Sequence, residues 1–309
     1  MCIRDSISSP IRVDSQFKPD GSFPGLPFPN PEEKGALAEA FRIADRRNVN
    51  LVLANDPDAD RLAVAVRTKD GWNQLSGDEL GLLLCDHQLK TTNGKDRLTA
   101  SSVVSSEAVA TLCARHDVEH VRTLTGFKWI MEPAASRPDS NWVFGYEEAL
   151  GYSVNSAVLD KDGISAAVKF LEMIETLDAM SLGPLERLDE LAFEIGLFVT
   201  HQASGQFDSI TIESVLDALR ITPPEEVNGS QIVATIDWLE KPHPLTTNLI
   251  EFRSKDGLRI AIRPSGTEPK VKIYLEQTIP KPVGDLAALR SSCSENLKSV
   301  GAATLSWFN

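Results

Sequence analysis

The 309-residue sequence predicts an α/β protein of several domains that closes on an α+β unit. Three observations carry this. Helix-like stretches alternate with short apolar runs up to about residue 180. Near the end, "GLRIAIR" (257–263) and "KVKIYLE" (270–276) alternate with period two, as half-exposed antiparallel strands do. The length suits about two or three domains.

The elements follow in order. Residues 30–48, "NPEEKGALAEAFRIADRRN", read as a helix. Asn30 can cap it, Pro31 suits its first turn, and Glu32 and Glu33 favour its positive end. Leu37, Phe41 and Ala44 share a face. "NLVLA" (50–54) fits a buried parallel strand, and "LAVAVRT" (62–68) is a second strand. Next come a helix at 77–89, a strand at 97–106 and a helix at 107–117. "WVFG" (142–145) is a short strand, and 163–180 a long amphipathic helix. The two alternating strands follow, then a closing helix over 283–300.

The bulk numbers exclude several classes. Hydrophobic content of 42% and charged content of 24% are ordinary for a soluble protein. The longest apolar run, near "LGLLLC" (80–85), is far short of the roughly 20 residues of a membrane helix. A net charge of −13 argues against nucleic-acid or membrane-surface binding, yet leaves room for a local cleft that binds a small anion. The four cysteines are scattered with no C-x-x-C pair, so a reducing, cytoplasmic setting is expected. "MCIRDSISSP" has no apolar core segment and is not a signal peptide.

The most informative stretch is "NDPDADR" (55–61), where an apolar run meets three aspartates at alternate positions. In an extended segment Asp56, Asp58 and Asp60 point the same way. Hard divalent cations take such oxygens and cancel their repulsion, and Mg²⁺ leaves positions for phosphate. A solvated acidic turn is the bland alternative. An EF-hand fits poorly, with Arg61 and Arg67 where Gly and Glu belong. An aspartyl phosphatase, with Asp56 as nucleophile and Asp58 assisting, would carry a small residue at Asp60.

Other loops fit a phosphorylated ligand. In "RPSGTEP" (263–269), Arg263 offers a bidentate fork, Ser265 and Thr267 bring hydroxyls, and Gly266 permits close backbone approach. The bland reading is a polar hairpin. In "GYEEALG" (145–151), Glu147 and Glu148 can accept hydrogen bonds from vicinal sugar hydroxyls, or merely open a solvated helix. Lys128 in "TGFKWI" and Lys161 in "DKDGISAA" are active-site cations or snorkelling surface residues.

Together and in this order, "NDPDADR", "LTGFKWI", "GYEEALG", "LDKDGISAA" and "RPSGTEPK" resemble the α-D-phosphohexomutase family, in the branch of bacterial phosphoglucomutases and related phosphopentomutases. The resemblance implies four domains around a cleft. Residues 1–75 would be part of the second α/β domain, 76–200 the third, and 206–309 the smaller α+β fourth. It implies phosphoryl transfer between glucose 1-phosphate and glucose 6-phosphate through a phosphoserine and glucose 1,6-bisphosphate. Mg²⁺ would sit on Asp56, Asp58 and Asp60, with Arg61 beside the transfer. Glu147 and Glu148 would read the sugar, Lys161 would contact substrate, and Arg263, Ser265, Gly266 and Thr267 would hold the distal phosphate. Lys128 is a candidate acid/base or phosphate contact.

Two departures stand out. Ala149 replaces a frequent Ser of the sugar loop. A T-A-S-H-N-P-type phosphoserine loop is missing, since "TASS" (99–102) is not followed by His-Asn-Pro. "MCIRDS" therefore reads as a junction, and the chain as a C-terminal portion that lacks the first domain and is inactive by itself. Phosphomannomutase and phosphopentomutase share this chemistry. A sugar phosphatase or a non-catalytic phosphosugar-binding remnant are the readings from other classes.

Overall fold

The computed structural model describes residues 10–309 apart from Pro19, Pro24, Gly25, Pro27, Lys34 and Thr267. The "MCIRDS" start and Thr267, expected to contact phosphate, thus lie outside the described residues. The chain divides into two compact units. One comprises residues up to Ser102 together with His116–Arg187, and the other Val103–Arg115 together with Leu188–Asn309.

The first unit opens with a single turn, α1 (Asp14–Phe17), and then α2 (Ala38–Arg47). α2 starts later than the Asn30–Pro31 signal suggests, because Gly35 takes a positive φ of 88° and breaks the segment into turns. Its Ala44 packs with Leu37, Val52 and Ala65. β1 (Leu51–Ala54), β2 (Ala63–Thr68) and β3 (Gly71–Gln74) form a three-stranded antiparallel sheet. The parallel strand expected at "NLVLA" is therefore antiparallel, with Leu51 opposite Val66 and Ala54 opposite Ala63. The loop between them is too short for a parallel crossover, which takes about a dozen residues or more.

α3 (Gly77–Thr91) begins in a capping box: Ser76 Oγ accepts from the Glu79 N–H, and Glu79 Oε2 from the Ser76 N–H. Nearly the whole helix is buried. The strand expected over 97–106 is β4 (Arg97–Ser102) and ends sooner; Val103 onward, with α4 (Ala108–Arg115), belongs to the second unit. β5 (Glu119–Thr123), α5 (Phe127–Ser136), β6 (Asn141–Glu147) and β7 (Gly151–Ser153) complete a mixed sheet of order β5-β4-β6-β7. β4 runs parallel to both neighbours, and β7 is antiparallel to β6. Leu98 and Ala100 pack under Phe127, Ile130 and Met131 of α5. α6 (Gly163–Ala179), capped by the Asp162 carboxylate, follows, and α7 (Pro184–Ile195) belongs to the second unit from Leu188 onward.

His87 on α3 is 6% exposed, and its Nε2 has no hydrogen-bond partner among the described residues. Glu172 Oε2 stands 4.0 Å away, with Lys169, Asp86 and Lys90 also facing the ring. Burial outweighs the two carboxylates and lowers the pKa of His87 below its usual value. A folded pKa below the unfolded one means that the unfolded chain binds the proton first. The stability this neutral ring contributes is thus present above about pH 6.5 and lost as pH falls below it. The thermal midpoint is expected to drop between about pH 7.5 and 5.5, and His87→Leu to reduce that drop. An undiminished drop in the variant would remove His87 as its source.

The second unit adds β8 (Leu197–Gln206), α8 (Ser209–Ile221), β9 (Glu226–Val227), β10 (Ser230–Asp237), β11 (Ile250–Ser254), β12 (Leu258–Pro264), β13 (Lys270–Ile279) and α9 (Leu286–Leu305). Its six strands form one antiparallel sheet, order β8-β13-β12-β11-β10-β9. Ile260, Ile262, Val271 and Ile273 face Ile212 and Leu216 of α8 and Leu297 and Val300 of α9. The other face, expected to be exposed, is covered as well: Ala261 and Tyr274 pack with Val103, Val104, Trp238 and Leu249.

Candidate functional site

The candidate metal loop, residues 55–61, links β1 to β2. Its aspartates converge through a turn rather than through strand alternation. The Ala59 N–H donates to the Asp56 carbonyl at 3.0 Å, and Ala59 sits in the left-handed region at φ 59°. One carboxylate oxygen from each of Asp56, Asp58 and Asp60 then lies within 4.8 Å of the others. Asp56 and Asp60 are half-buried and Asp58 is exposed. Burial, joined by the charges of Asp60 and Asp58, raises the pKa of Asp56 despite a hydrogen bond from the Arg61 N–H. Three clustered hard oxygen donors under mutual repulsion suit a divalent cation such as Mg²⁺.

The loop is held from two sides. Asn55 Nδ2 donates to the Arg61 carbonyl at 2.6 Å, and the Gly163 N–H donates to the Ala59 carbonyl at 3.1 Å. A Cβ at Gly163 would lie 2.1 Å from the Arg61 carbonyl oxygen, so only glycine lets α6 start this close. Lys161 Nζ is 2.7 Å from Asp60 Oδ2. Burial alone would lower the pKa of Lys161, but the bond to Asp60 and the charges of Asp60, Asp160 and Glu147 raise it, so the side chain is cationic. Arg61 Nε lies 3.5 Å from Asp56 and 3.9 Å from Asp60.

The loop of Glu147 and Glu148 joins the aspartate loop directly. Arg61 forms an antiparallel bridge with Gly151, and the Leu62 N–H donates to the Leu150 carbonyl at 3.1 Å. Glu147 Oε1 accepts from the Gly126 N–H at 2.9 Å, and Glu148 Oε2 from Ser102 Oγ at 3.0 Å. Burial, with the charges of Glu147 and Asp78, pushes the Glu148 carboxyl up to about 7. The first turn of α3 is wedged behind it: a Cβ at Gly77 would fall 1.7 Å from the Glu148 carbonyl oxygen. Lys128 stands apart from these carboxylates, exposed on the first turn of α5 with Nζ 5.2 Å from the Trp129 ring centroid.

The candidate phosphate-binding loop, residues 263–269, lies in the second unit, between β12 and β13. Arg263 is opposite Lys272, and the Ser265 N–H donates to the Lys270 carbonyl at 2.7 Å. Arg263 Nη2 donates to Tyr274 Oη at 3.3 Å, while its Nε is buried with no hydrogen-bond partner among the described residues. A Cβ at Gly266 would have no protein atom within 4 Å, which leaves the loop's outer side open. Asp56, Asp58, Asp60, Arg61, Glu147, Glu148 and Lys161 are thus gathered in the first unit, and Arg263, Ser265 and Gly266 in the second.

Sequence reasoning overlooks four contributors: Asn55, Gly163, Gly77 and Ser102. Asn55 adjoins the aspartates, and an Asx residue opening a tight loop was an available signal. Gly163 follows the capping Asp162, and Gly77 follows Ser76. Ser102 had no signal, because parallel strand pairing across β4 and β6 brings it to Glu148.

Comparisons with known proteins bear on the family of the chain. A probable phosphomannomutase of Haemophilus influenzae is 40% identical over 273 residues, covering 87% of this chain and 55% of that protein. A phosphopentomutase of Mus musculus is 34% identical, covering 94% and 52%, and a phosphoglucomutase of Staphylococcus aureus is 31% identical, covering 87% and 52%. The chain spans about half the length of these relatives. Among solved structures, pp63/parafusin of Paramecium shares the fold with a TM-score of 0.64 at 20% identity, covering 90% of this chain and 50% of that one. A phosphomannomutase-like protein of Thermus thermophilus gives 0.59 at 17%, covering 87% and 50%. Family models of phosphoglucomutase/phosphomannomutase match in sequence: the α/β/α domain II over residues 6–71, the α/β/α domain III over 76–190 and the C-terminal domain over 218–291. With three successive domains of one family along its length, the chain belongs to the α-D-phosphohexomutases.

Proposed function

We propose that this chain is the metal-, sugar- and phosphate-binding part of a cytoplasmic Mg²⁺-dependent phosphosugar mutase that interconverts glucose 1-phosphate and glucose 6-phosphate. The observation that carries the reading is the convergence of Asp56, Asp58 and Asp60 on a loop bridged, through Arg61 and Gly151, to the loop of Glu147 and Glu148. Mg²⁺ on the three aspartates would offset negative charge on a phosphoryl group. Arg61 would orient that group from the side. Glu147 and Glu148 would take hydrogen bonds from sugar hydroxyls, and the raised pKa of Glu148 suits a carboxyl that can also donate one. Lys161 and Lys128 would supply positive charge to substrate. Arg263, Ser265, Gly266 and Thr267 would hold the phosphate that is not being transferred. On this reading the domains run over about 1–75, 76–200 and 206–309.

The covalent donor would be a phosphoserine, and glucose 1,6-bisphosphate the intermediate and activator. The 309 residues hold no T-A-S-H-N-P-type stretch, so that serine is proposed to come from an N-terminal domain beyond them. Positioning groups cannot replace a missing nucleophile. Residues 1–309 alone are therefore expected to leave glucose 1-phosphate unconverted, even with the bisphosphate added. Fusion behind the N-terminal half of the Haemophilus influenzae relative is expected to give turnover. Assaying the fusion on glucose, mannose and ribose phosphates also identifies the preferred sugar, where the names of the relatives differ. Robust turnover by residues 1–309 alone would overturn the serine assignment, and an inactive fusion that is folded and binds Mg²⁺ would overturn the mutase reading.

A further inference from the structure

Asp60 meets two demands. It contributes one of the three carboxylates of the metal loop, and its Oδ2 also lies 2.7 Å from Lys161 Nζ. The lysine is held there. Its side chain is 20% exposed, its Cδ lies where a Cβ at Gly151 would approach within 2.9 Å, and its ammonium is 5.9 Å from the Phe127 ring centroid. A charge fixed this way is screened less than one on a free surface side chain. An ammonium at that distance takes up a carboxylate lone pair and repels any cation that uses the same oxygen. Arg61 is the weaker rival, since it stands 3.9 Å from Asp60 and nearer to Asp56.

We propose that Lys161 is the counter-cation of the metal loop: a positioning residue that weakens divalent-ion binding by Asp56, Asp58 and Asp60 and is displaced from Asp60 when the ion enters. This rests on the metal-loop reading given above. Displacement leaves the ammonium beside the loop of Glu147 and Glu148 with Asp160, 3.7 Å away, as its remaining close carboxylate, because the lysine stem stays against Gly151. An anionic sugar phosphate then gains that charge only after the ion has bound. Ion and phosphosugar therefore strengthen each other's binding by the same factor.

Titration calorimetry of the 309-residue chain with Mg²⁺, with and without glucose 6-phosphate, tests this. Lys161→Met keeps most of the stem and removes the charge, and Lys161→Gln does the same with a polar end. Both are expected to bind Mg²⁺ about fivefold more tightly than the wild type, by the loss of a like charge at close range. Both should also lose the mutual reinforcement between Mg²⁺ and glucose 6-phosphate. Lys161→Arg, which keeps the charge, should stay within about twofold of the wild type. Asp58→Asn serves as the reference that weakens binding. If Asp58→Asn weakens Mg²⁺ binding but Lys161→Met and Lys161→Gln bind it no more tightly than the wild type, the metal loop stands and the role of Lys161 is overturned. If Asp58→Asn has no effect, or if neither the wild type nor the lysine variants bind Mg²⁺, the metal-loop reading falls and this inference falls with it.

Discussion

Asp58→Asn, in the fusion that carries the N-terminal half, is expected to lower kcat by about a hundred- to a thousand-fold at limiting Mg²⁺. That loss corresponds to several kcal/mol of electrostatic help from a metal ion, at about 1.4 kcal/mol per tenfold. Asp58 isolates this effect better than its neighbours. Asp56 also accepts from the Arg61 N–H, and Asp60 binds Lys161, so changing either disturbs the loop. Asp58 is exposed in the turn and carries no comparable structural duty. The thermal midpoint should therefore move by no more than about 2 °C, in line with other surface substitutions. Raising Mg²⁺ should recover part of the rate, because a neutral amide is a weaker ligand rather than none. Wild-type turnover of the variant at limiting Mg²⁺ would remove the aspartates from the mechanism.

Much of these candidate loops is legible because each one's chemistry is local in sequence. The three aspartates, the Glu147–Glu148 pair and the Arg263 loop each lie within a few consecutive residues. The helix starts expected at 77 and 163 hold, where Ser76 with Glu79 and the Asp162 carboxylate cap the first turn, whereas the Asn30–Pro31 signal puts α2 too early. What failed depends on pairing at a distance. "NLVLA" has the composition of a buried parallel strand, and only the shortness of the loop to β2 shows that it pairs antiparallel. The alternation in β12 and β13 correctly gives strands, but not what covers their second face, which depends on Val103 and Val104 far back in the chain. "TASS" looks irrelevant once no His-Asn-Pro follows, yet parallel pairing of β4 with β6 sets Ser102 against Glu148. β5, "EHVRT", hides because an edge strand can be largely polar. α7 was missed although Leu185, Leu188 and Leu191 follow Pro184 at helical spacing.

Glu251→Leu is expected to destabilise the second unit by about 3 kcal/mol. Glu251 sits on β11 with no solvent exposure. Its Oε1 accepts from Arg253 Nε at 2.7 Å, and its Oε2 lies 3.1 Å from Arg259 Nε. The second pair is off the hydrogen-bond axis, since both atoms lack an aligned partner, so its attraction is mainly Coulombic. Arg259 is 5% exposed and also donates to the Ser105 and Val103 carbonyls, while Arg253 binds Glu107, whose N–H donates to Glu276 Oε2 at 3.1 Å. These five charged side chains fasten residues 103–107 to the sheet. Removing the one fully buried carboxylate leaves the Arg259 guanidinium short of its counter-charge in a dry setting, whereas Arg253 keeps Glu107 and partial solvent. At roughly 2–4 °C per kcal/mol for a unit of this size, the thermal midpoint should fall by about 6–12 °C. Amide exchange over 103–107 should quicken more than exchange in β12 and β13. The double variant Glu251→Leu with Arg259→Met should recover part of the loss, because a buried charge pair replaced as a whole by apolar groups costs far less than one broken in half. Recovery would be incomplete, since the two carbonyls lose their donor. A double variant less stable than Glu251→Leu alone would show that Arg259 holds the 103–107 segment mainly through those carbonyls and that the buried ion pair contributes little.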